Sequence, residues 1–344
     1  MRCTIVPPHI LERVAEAAED PALRESARRS LTISSEQRAA RRALTIEAPA
    51  PSADFTAKRS VHNARNQETL PGDKARDEGA PATGDKAVDQ SYDWLGVTFD
   101  FFEAAYRRDS IDGAGLRLVS TVHYGRSYEN AFWNGEQMVY GDGDGRLFLA
   151  FTGPLDVTGH ELVHGITQYT ANLDYQGQSG ALNESVSDVF GSLVKQWHLK
   201  HTADRADWLI GQGLFAEGVN AKALRSMKEP GTAYDDPRLG KDPQPGHMND
   251  YVETHSDNGG VHINSGIPNR AFYLAATAIG GNAWEKAGRV WYDTLTGGRI
   301  ERTTDFAGFA AATVATAAGL YGAGGAETRA VRDAWAGVGV AVPR

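Results

Sequence analysis

His160, Glu161 and His164 form the pattern His-Glu-x-x-His, which can hold a metal ion. Residues four apart on a helix project from one face, so the two imidazoles can reach the same ion. Zinc is bound in this way, and the glutamate beside the first histidine can act as a base on zinc-bound water. Because the pattern also arises by chance, a zinc site requires a third ligand nearby.

Glu184, which follows His164 after 20 residues, offers that third ligand. A catalytic zinc site uses three protein ligands and keeps its fourth position open. Glu184 is predicted to begin a second helix, with Asp188 one turn later on the same face. The Asp188 carboxylate can accept the second ring N–H of a ligand histidine and fix its tautomer. The alternative interpretation is a solvated helix N-terminus, where acidic residues are common without a metal.

A third cluster lies at residues 257–266, a glycine-rich stretch that contains Asp257 and His262. His262 could donate a hydrogen bond to a developing oxyanion, and Asp257 could orient its ring. A glycine loop with a structural histidine explains the same residues. The cluster alone does not decide between these two interpretations.

The hydrophobic pattern predicts the elements that must position these groups. Helical spacing of apolar residues predicts helices over residues 94–106, 155–171, 181–198, 260–279, 283–295, 304–319 and 327–335. Strands are predicted at 117–124 and 136–140, with a short hairpin within 61–72 and a turn at 142–145. Near the N-terminus, Ile10, Leu11 and Val14 predict an amphipathic helix. Ser34 with Gln37 predicts a capping box that opens a second short helix.

Composition excludes several classes of protein. The chain has 344 residues, 41% of them hydrophobic, which is typical of a soluble protein with two domains. A net charge of −9 disfavours nucleic acid as a partner. No window reaches the ~18 apolar residues of a membrane helix, so no membrane insertion is expected. Cys3 is the only cysteine, which excludes an intramolecular disulfide and a cysteine-built zinc site.

Taken together, the motifs resemble the thermolysin family of zinc metallopeptidases. The resemblance runs from about residue 92 to the C-terminus. It rests on the His-Glu-x-x-His pattern, on Glu184 and on the stretches 130–135, 138–145 and 260–266. It implies an α+β fold with a β-rich N-terminal lobe, an all-helical C-terminal lobe and the active-site cleft between them. It also implies a neutral endopeptidase with one catalytic zinc ion and with peptides or proteins as substrates.

The family resemblance assigns a role to each matching position. His160, His164 and Glu184 would bind zinc, and Glu161 would pass a proton from zinc-bound water to the leaving amine. His262, oriented by Asp257, and Tyr175 would stabilise the oxyanion. The remaining positions are Asp188 and Asn183 beside the zinc ligands, Asn130, Ala131 and Arg225 along the substrate backbone, and Phe148, Val157 and Leu224 in the specificity pocket.

Two expectations concern specificity and calcium. The pocket residues are apolar, so the resemblance implies cleavage before a bulky hydrophobic residue such as leucine or phenylalanine, although plain core packing explains the same residues. The family's double calcium site is built from carboxylates, so losing several of them predicts that structural calcium is absent or reduced. At the double site Asp156 and Asp207 match, and Lys195, Leu209 and Gln212 stand where three more acids are expected. In the loop before Arg225, Lys222 also stands where a ligand acid is expected.

The N-terminal part resembles the protealysin-like subgroup, whose short prosegment begins Cys-x-x-x-Pro-Pro. Cys3, Pro7 and Pro8 match this start. A Cys3 thiolate could fill the open zinc position and keep the enzyme latent. Alternatively, Cys3 packs as a small hydrophobic residue and the two prolines occupy the substrate groove, which is the interpretation we favour. In both interpretations, the prosegment binds at the active-site cleft.

The predicted domain order follows from these assignments. Residues 1–44 form a short helical prosegment, 45–60 a linker with the maturation site, 61–155 the β-rich lobe and 156–344 the helical lobe. The alternative function is a catalytically silent zinc-binding protein that recognises peptides. The N-terminus lacks the apolar core of a secretory signal. We therefore expect a cytoplasmic enzyme or one exported by another route, and the family resemblance favours secretion.

Overall fold

The structure, a computed structural model, describes residues 4–41, 49–50 and 54–342. Cys3 and residues 45–48 and 51–53 of the predicted linker lie outside this part of the chain. The helices are α1 Pro8–Ala17, α2 Pro21–Arg41, α3 Lys86–Tyr106, α4 Leu155–Gln168, α5 Gly177–Leu199, α6 Asp257–Asn264, α7 Gly266–Ile279, α8 Ala287–Thr296, α9 Phe306–Tyr321 and α10 Ala326–Gly337, with a 3-10 turn at Met248–Asp250. The strands are β1 Arg59–Asn63, β2 Asp73–Asp77, β3 Leu118–Val122, β4 Ala131–Trp133, β5 Met138–Tyr140, β6 Leu209–Ile210, β7 Arg225–Ser226, β8 Asp235–Asp236 and β9 Gly240–Lys241.

A five-stranded sheet in the order β2-β1-β3-β5-β4 lies before the zinc motif. β1, β3 and β5 run parallel, and the two outer strands are antiparallel to their neighbours. The hairpin predicted within 61–72 is therefore part of a longer one, because β1 pairs with β2 as far as Asp77. β4 forms one edge of the sheet, where its free backbone groups can pair with an added strand.

The second half of the chain is mainly helical, so the structure confirms the predicted α+β class. α4 and α5 pack against each other at the centre of the molecule. Their contact is close because of two glycines. A Cβ atom on Gly191 would lie 2.7 Å from the Asp156 carbonyl oxygen, and one on Gly159 would lie 3.0 Å from the Gly191 Cα. Over the described residues, no helix has the length and apolar character needed to cross a membrane.

Three local predictions were wrong. Ser34 does not open a helix, because α2 starts at Pro21 and is continuous through it; its hydroxyl instead bonds to the Tyr128 hydroxyl at 3.1 Å. Glu184 lies two turns inside α5, not at its start. The helix predicted over 260–279 is two helices, since Pro268 near the start of α7 cannot donate the backbone hydrogen bond that would join them.

Candidate active site

The three predicted zinc ligands meet where α4 and α5 cross. His160 and His164 lie one turn apart on α4, and Glu184 faces them from α5. All three side chains are buried, at most 2% exposed. Their ligand atoms lie within 4.8 Å of one another, and no second group of this kind occurs among the described residues.

The hydrogen bonds of the two histidines fit a cation between them. His160 Nδ1 lies 2.8 Å from Asp188 Oδ1, and His164 Nδ1 lies 2.8 Å from Asn183 Oδ1. Both acceptors require a proton on Nδ1, which leaves a lone pair on each Nε2. These two Nε2 atoms face each other at 3.0 Å, with Glu184 carboxylate oxygens 3.6 and 3.7 Å away. Two lone pairs and a carboxylate at this separation repel unless a cation joins them, and nitrogen and oxygen donors suit zinc.

Asp188 is the centre of a buried network behind the ligands. Its carboxylate accepts hydrogen bonds at 2.8 Å from His160, from Arg225 through Nε and Nη2, and from Asn269. Burial alone would raise the pKa of Asp188, but the charge of Arg225 and the bond from His160 hold it well below its usual range. The carboxylate thus stays charged and fixes the ring of His160.

Glu161 lies on α4 directly beside His160, in the buried face of the helix. One of its carboxylate oxygens accepts a hydrogen bond from the backbone N–H of Trp133 at 2.9 Å. Sequence reasoning missed this contact, because a backbone donor leaves no mark in residue type. The bond ties the carboxylate of α4 to the edge strand β4 and restricts its orientation.

His262, Tyr175 and Asp257 come together on the other side of the ligands. His262 Nδ1 lies 2.7 Å from Asp257 Oδ1, and the Tyr175 hydroxyl lies 3.2 Å from His262 Nε2. Tyr175 also donates to Glu184. Burial would lower the pKa of His262, but the carboxylates of Asp257 and Glu184 raise it above its usual value. His262 and Tyr175 can therefore both donate hydrogen bonds to a developing negative charge.

The cleft beside these groups is filled by the N-terminal segment of the chain. The Ile5 N–H donates to the Ala131 carbonyl at 3.1 Å, and Arg225 Nη1 donates to the Ile5 carbonyl at 3.0 Å. The backbone N–H of Val6 donates to Asn130 Oδ1 at 2.9 Å, and Asn130 Nδ2 donates to the Val6 carbonyl at 3.2 Å. Ile5 and Val6 thus lie along β4 as an added strand.

The two prolines do not make these contacts themselves. Pro7 precedes α1 as its N-cap, and Pro8 is the first residue of that helix, where a missing N–H costs nothing. The groove is occupied by Ile5 and Val6, which the sequence analysis did not single out. The three predicted pocket residues, Phe148, Val157 and Leu224, are buried in the same hydrophobic cluster as Ile5.

Helix α2 holds the N-terminal segment in place from outside the cleft. Its Ser26 hydroxyl donates to the Ser127 carbonyl at 2.8 Å, and its Ser30 hydroxyl accepts from the Glu129 N–H at 3.0 Å. Ile33 on the same helix packs with Tyr128 in a small apolar cluster. These contacts lie on the loop that leads directly into Asn130 and β4.

Two titratable groups at this interface are held neutral. The Glu129 side chain is fully buried, and burial together with the charge of Asp144 raises its pKa to about 8. His9 on α1 bonds to the Tyr234 hydroxyl at 2.9 Å, and burial lowers its pKa to about 4. Contact between the N-terminal segment and the rest of the chain therefore favours uncharged Glu129 and uncharged His9.

Comparison with known proteins agrees with this geometry. Residues 32–168 match the family description "Thermolysin metallopeptidase, catalytic domain", and residues 171–340 match "Thermolysin metallopeptidase, alpha-helical domain". An extracellular metalloprotease of Pectobacterium carotovorum subsp. carotovorum is 53% identical over 349 residues, 99% of this chain and 97% of that one. A thermolysin of Alicyclobacillus acidocaldarius is 41% identical over 289 residues, 81% of this chain and 50% of its own.

A solved structure shows the same similarity. The precursor of protealysin, a metalloproteinase from Serratia proteamaculans, superposes with a TM-score of 0.90 and 52% identity, covering 98% of this chain and 100% of that one. The similarity includes the N-terminal helices, since almost the whole chain is covered. The predicted combination of a β-rich part and a helical part is confirmed by these matches.

Proposed function

This chain belongs to the thermolysin family of metallopeptidases and is a zinc metalloendopeptidase, and from that premise we propose how its site works. Glu161 is the general base, and cleavage occurs before bulky hydrophobic residues. The protein is made as a zymogen whose N-terminal segment blocks the cleft. The observation that carries this proposal is the buried pair of histidine Nε2 atoms facing each other beside Glu184.

Each residue of the site has one task in this mechanism. His160, His164 and Glu184 would hold a zinc ion, which would polarise the substrate carbonyl and lower the pKa of the attacking water. Glu161 takes a proton from the attacking water and gives it to the leaving amine. His262 and Tyr175 donate hydrogen bonds to the oxyanion. Asn130, the Ala131 carbonyl and Arg225 hold the substrate backbone, as they hold the N-terminal segment here.

Peptide hydrolysis tests this function against the silent alternative. After an added protease cuts the linker, we expect the protein to cleave a peptide before leucine or phenylalanine. A matched peptide with aspartate there should react at least about tenfold more slowly. A chelator should abolish the reaction, and added zinc should restore it. A protein that binds zinc but leaves every peptide whole would support the alternative, a catalytically silent peptide-binding protein.

The prosegment and the linker are proposed to control when the enzyme acts. The contacts of Ile5 and Val6 support latency by occlusion, because a substrate cannot reach Asn130 and Arg225 while they remain. We place the maturation site in residues 45–60. The extracellular relatives support action outside the cell. The two alternative roles of Cys3 both stay predictions, because Cys3 lies outside the described residues.

The prosegment is expected to bind more weakly as the pH rises. The Glu129 carboxyl faces Asp144 and Ser26, and the Ser26 hydroxyl already donates its proton to Ser127. A raised pKa in the bound state means that binding is strongest below about 4.5 and weakens as the pH approaches 8. With an inactive Glu161→Gln protein cut in its linker, the dissociation constant of the prosegment should rise about tenfold from pH 6 to pH 8.

The matched control for this pH effect is Glu129→Gln, which keeps the shape but cannot ionise. Its dissociation constant should fall by about fourfold over the same range. At pH 6 the free His9, with its ordinary pKa near 6.5, is still largely protonated, whereas bound His9, with a pKa of about 4, is neutral, so His9 alone makes binding tighter as the pH rises to 8. An equal rise in both proteins would show that another group is responsible.

A partly buried lysine supports the proposal that the double calcium site is missing. Lys195 Nζ lies 2.8 Å from Asp156, 3.0 Å from Asp207 and 2.7 Å from the Leu209 carbonyl. Burial would lower the pKa of Lys195, but the two carboxylates raise it, so the ammonium stays charged. It supplies positive charge where the family's carboxylates would hold an ion.

Replacing this lysine should therefore destabilise the protein, because the buried Asp156 carboxylate would lose its charged partner and keep only the Gly211 N–H. We expect Lys195→Met to lower the free energy of unfolding by about 3 kcal/mol, measured with urea. Millimolar calcium should leave the melting temperature of the wild type unchanged. Lys286→Met, which removes an exposed ion pair with Glu327, is the control and should change little. Stabilisation of the wild type by calcium would contradict the proposal.

A further inference from the structure

The N-terminal segment lies in the cleft with a defined polarity and register. The Ile5 carbonyl accepts from Arg225, and the Ile5 N–H donates to the Ala131 carbonyl. The family resemblance implies that Arg225 contacts the substrate carbonyl beyond the cleaved bond, and the proposed function adopts this role. Ile5 therefore occupies the position after that bond, and Val6 the next one. The bond at the catalytic centre is the peptide bond between Thr4 and Ile5.

The position of Thr4 agrees with this register. Its carbonyl oxygen lies 3.2 Å from His262 Nε2, one of the two donors assigned to the oxyanion. The same Nε2 atom is 3.6 Å from a carboxylate oxygen of Glu184. The Thr4 carbonyl thus points into the space between the zinc ligands and His262, where a substrate carbonyl has to lie.

The side chain of Ile5, which follows this bond, also fits the proposed preference for a bulky hydrophobic residue. The side chain of Ile5 is fully buried. An isoleucine is a bulky hydrophobic residue of the kind that the proposed specificity pocket accepts. Backbone polarity, carbonyl position and side-chain type therefore agree on a single bond.

We infer that the Thr4–Ile5 bond is a processing site, hydrolysed by the protein's own active centre within one molecule. This inference rests on the proposed function. Water adds its oxygen to the Thr4 carbonyl carbon, and the C–N bond breaks. The nitrogen of Ile5 takes the proton and becomes a new N-terminus, while residues 1–4 leave with a new carboxylate.

Hydrolysis here does not release the prosegment. Val6 keeps both bonds to Asn130, and α2 keeps its bonds through Ser26 and Ser30. The shortened segment remains joined to the rest of the chain through the linker. The precursor therefore stays latent after this cut, because the shortened segment, which is the product of the reaction, remains bound in the cleft.

Intact mass of the full-length, zinc-loaded protein over time tests the inference. We expect a species that has lost residues 1–4 and begins at Ile5, formed before any cut in the linker. Its rate should not depend on protein concentration, because the reaction occurs within one molecule. Glu161→Gln should stay whole. If the prosegment released at the linker still carries residues 1–4 while the enzyme cleaves peptides, the inference is wrong. If no peptide is cleaved either, the proposed function itself has failed.

Substitutions of Ile5 separate positioning from folding. Ile5→Leu should be cut at a rate close to that of the wild type, and Ile5→Asp at least tenfold more slowly. In the inactive Glu161→Gln background, Ile5→Asp should also lose hydrogen-exchange protection at the amides of residues 5 and 6, a readout that needs no turnover. Equal cleavage of Ile5→Asp and Ile5→Leu would overturn the register.

Discussion

Glu161→Gln should abolish both peptide hydrolysis and self-processing while leaving the zinc site intact. The amide has the size of the carboxylate, and its oxygen can still accept the Trp133 N–H that binds Glu161 at 2.9 Å. It cannot take a proton from water at neutral pH. Because general acid–base catalysis contributes about 10²- to 10⁴-fold, we expect kcat/KM to fall by at least about 10²-fold.

The measurement is kcat/KM on a leucine-containing peptide after the linker is cut by an added protease, together with the zinc content of both proteins. Glu136→Gln is the matched control, since Glu136 is an exposed carboxylate near the same edge strand. The variant should retain one zinc ion per chain, and the control should keep wild-type activity. Hydrolysis by Glu161→Gln at more than about a tenth of the wild-type rate would assign the base to another residue.

Asp188→Asn should weaken zinc binding and also destabilise the apoprotein. Asp188 accepts bonds from His160, from both Arg225 nitrogens and from Asn269, all in a buried environment. An asparagine presents an N–H₂ group to one of these donors and leaves the Arg225 charge without a counterion. We expect zinc affinity to fall by about 10- to 100-fold. The free energy of unfolding should fall by about 3–5 kcal/mol.

Competition with a coloured chelator measures the affinity, and urea unfolding of the zinc-free protein measures the stability separately. Asp174→Asn is the matched control, because Asp174 pairs with Arg302 at the surface, where the guanidinium side chain is 63% exposed. That loss should cost less than about 1 kcal/mol. A variant with normal zinc affinity but reduced stability would restrict Asp188 to a structural role.

Sequence patterns predicted the parts of the site that are local along the chain. The spacing of His160 and His164 on one helix, and the apolar periodicity of α4, follow from helix geometry alone. The position of Glu184 inside α5 was less accessible, since the apolar pattern marks the middle of a helix better than its start.

The contacts that sequence reasoning missed join distant residues through groups with no sequence signature. The Trp133 N–H on Glu161 is a backbone donor. The ion pair between Arg225 and Asp188 spans 37 residues, and the bond between Arg225 and Ile5 spans 220. Glu129 lies in the loop before β4, and its backbone N–H donates to Ser30 on a helix about a hundred residues earlier. Such pairings depend on tertiary packing and not on local pattern.

His160, His164 and His262 each hold the hydrogen-bond partner that orients the ring while the N-terminal segment still occupies the cleft. Activation therefore needs no refolding of the catalytic residues. The fraction of molecules whose cleft holds the N-terminal segment depends instead on the linker that joins this segment to the rest of the chain. A segment tethered to its site through a short stretch of the same chain acts there at an effective concentration of about millimolar. Cutting the linker replaces that constant value by the actual concentration of free segment. The cut protein should then be inactive when concentrated, because the free segment rebinds to the cleft, and active when diluted. Dilution is therefore itself the last step of activation.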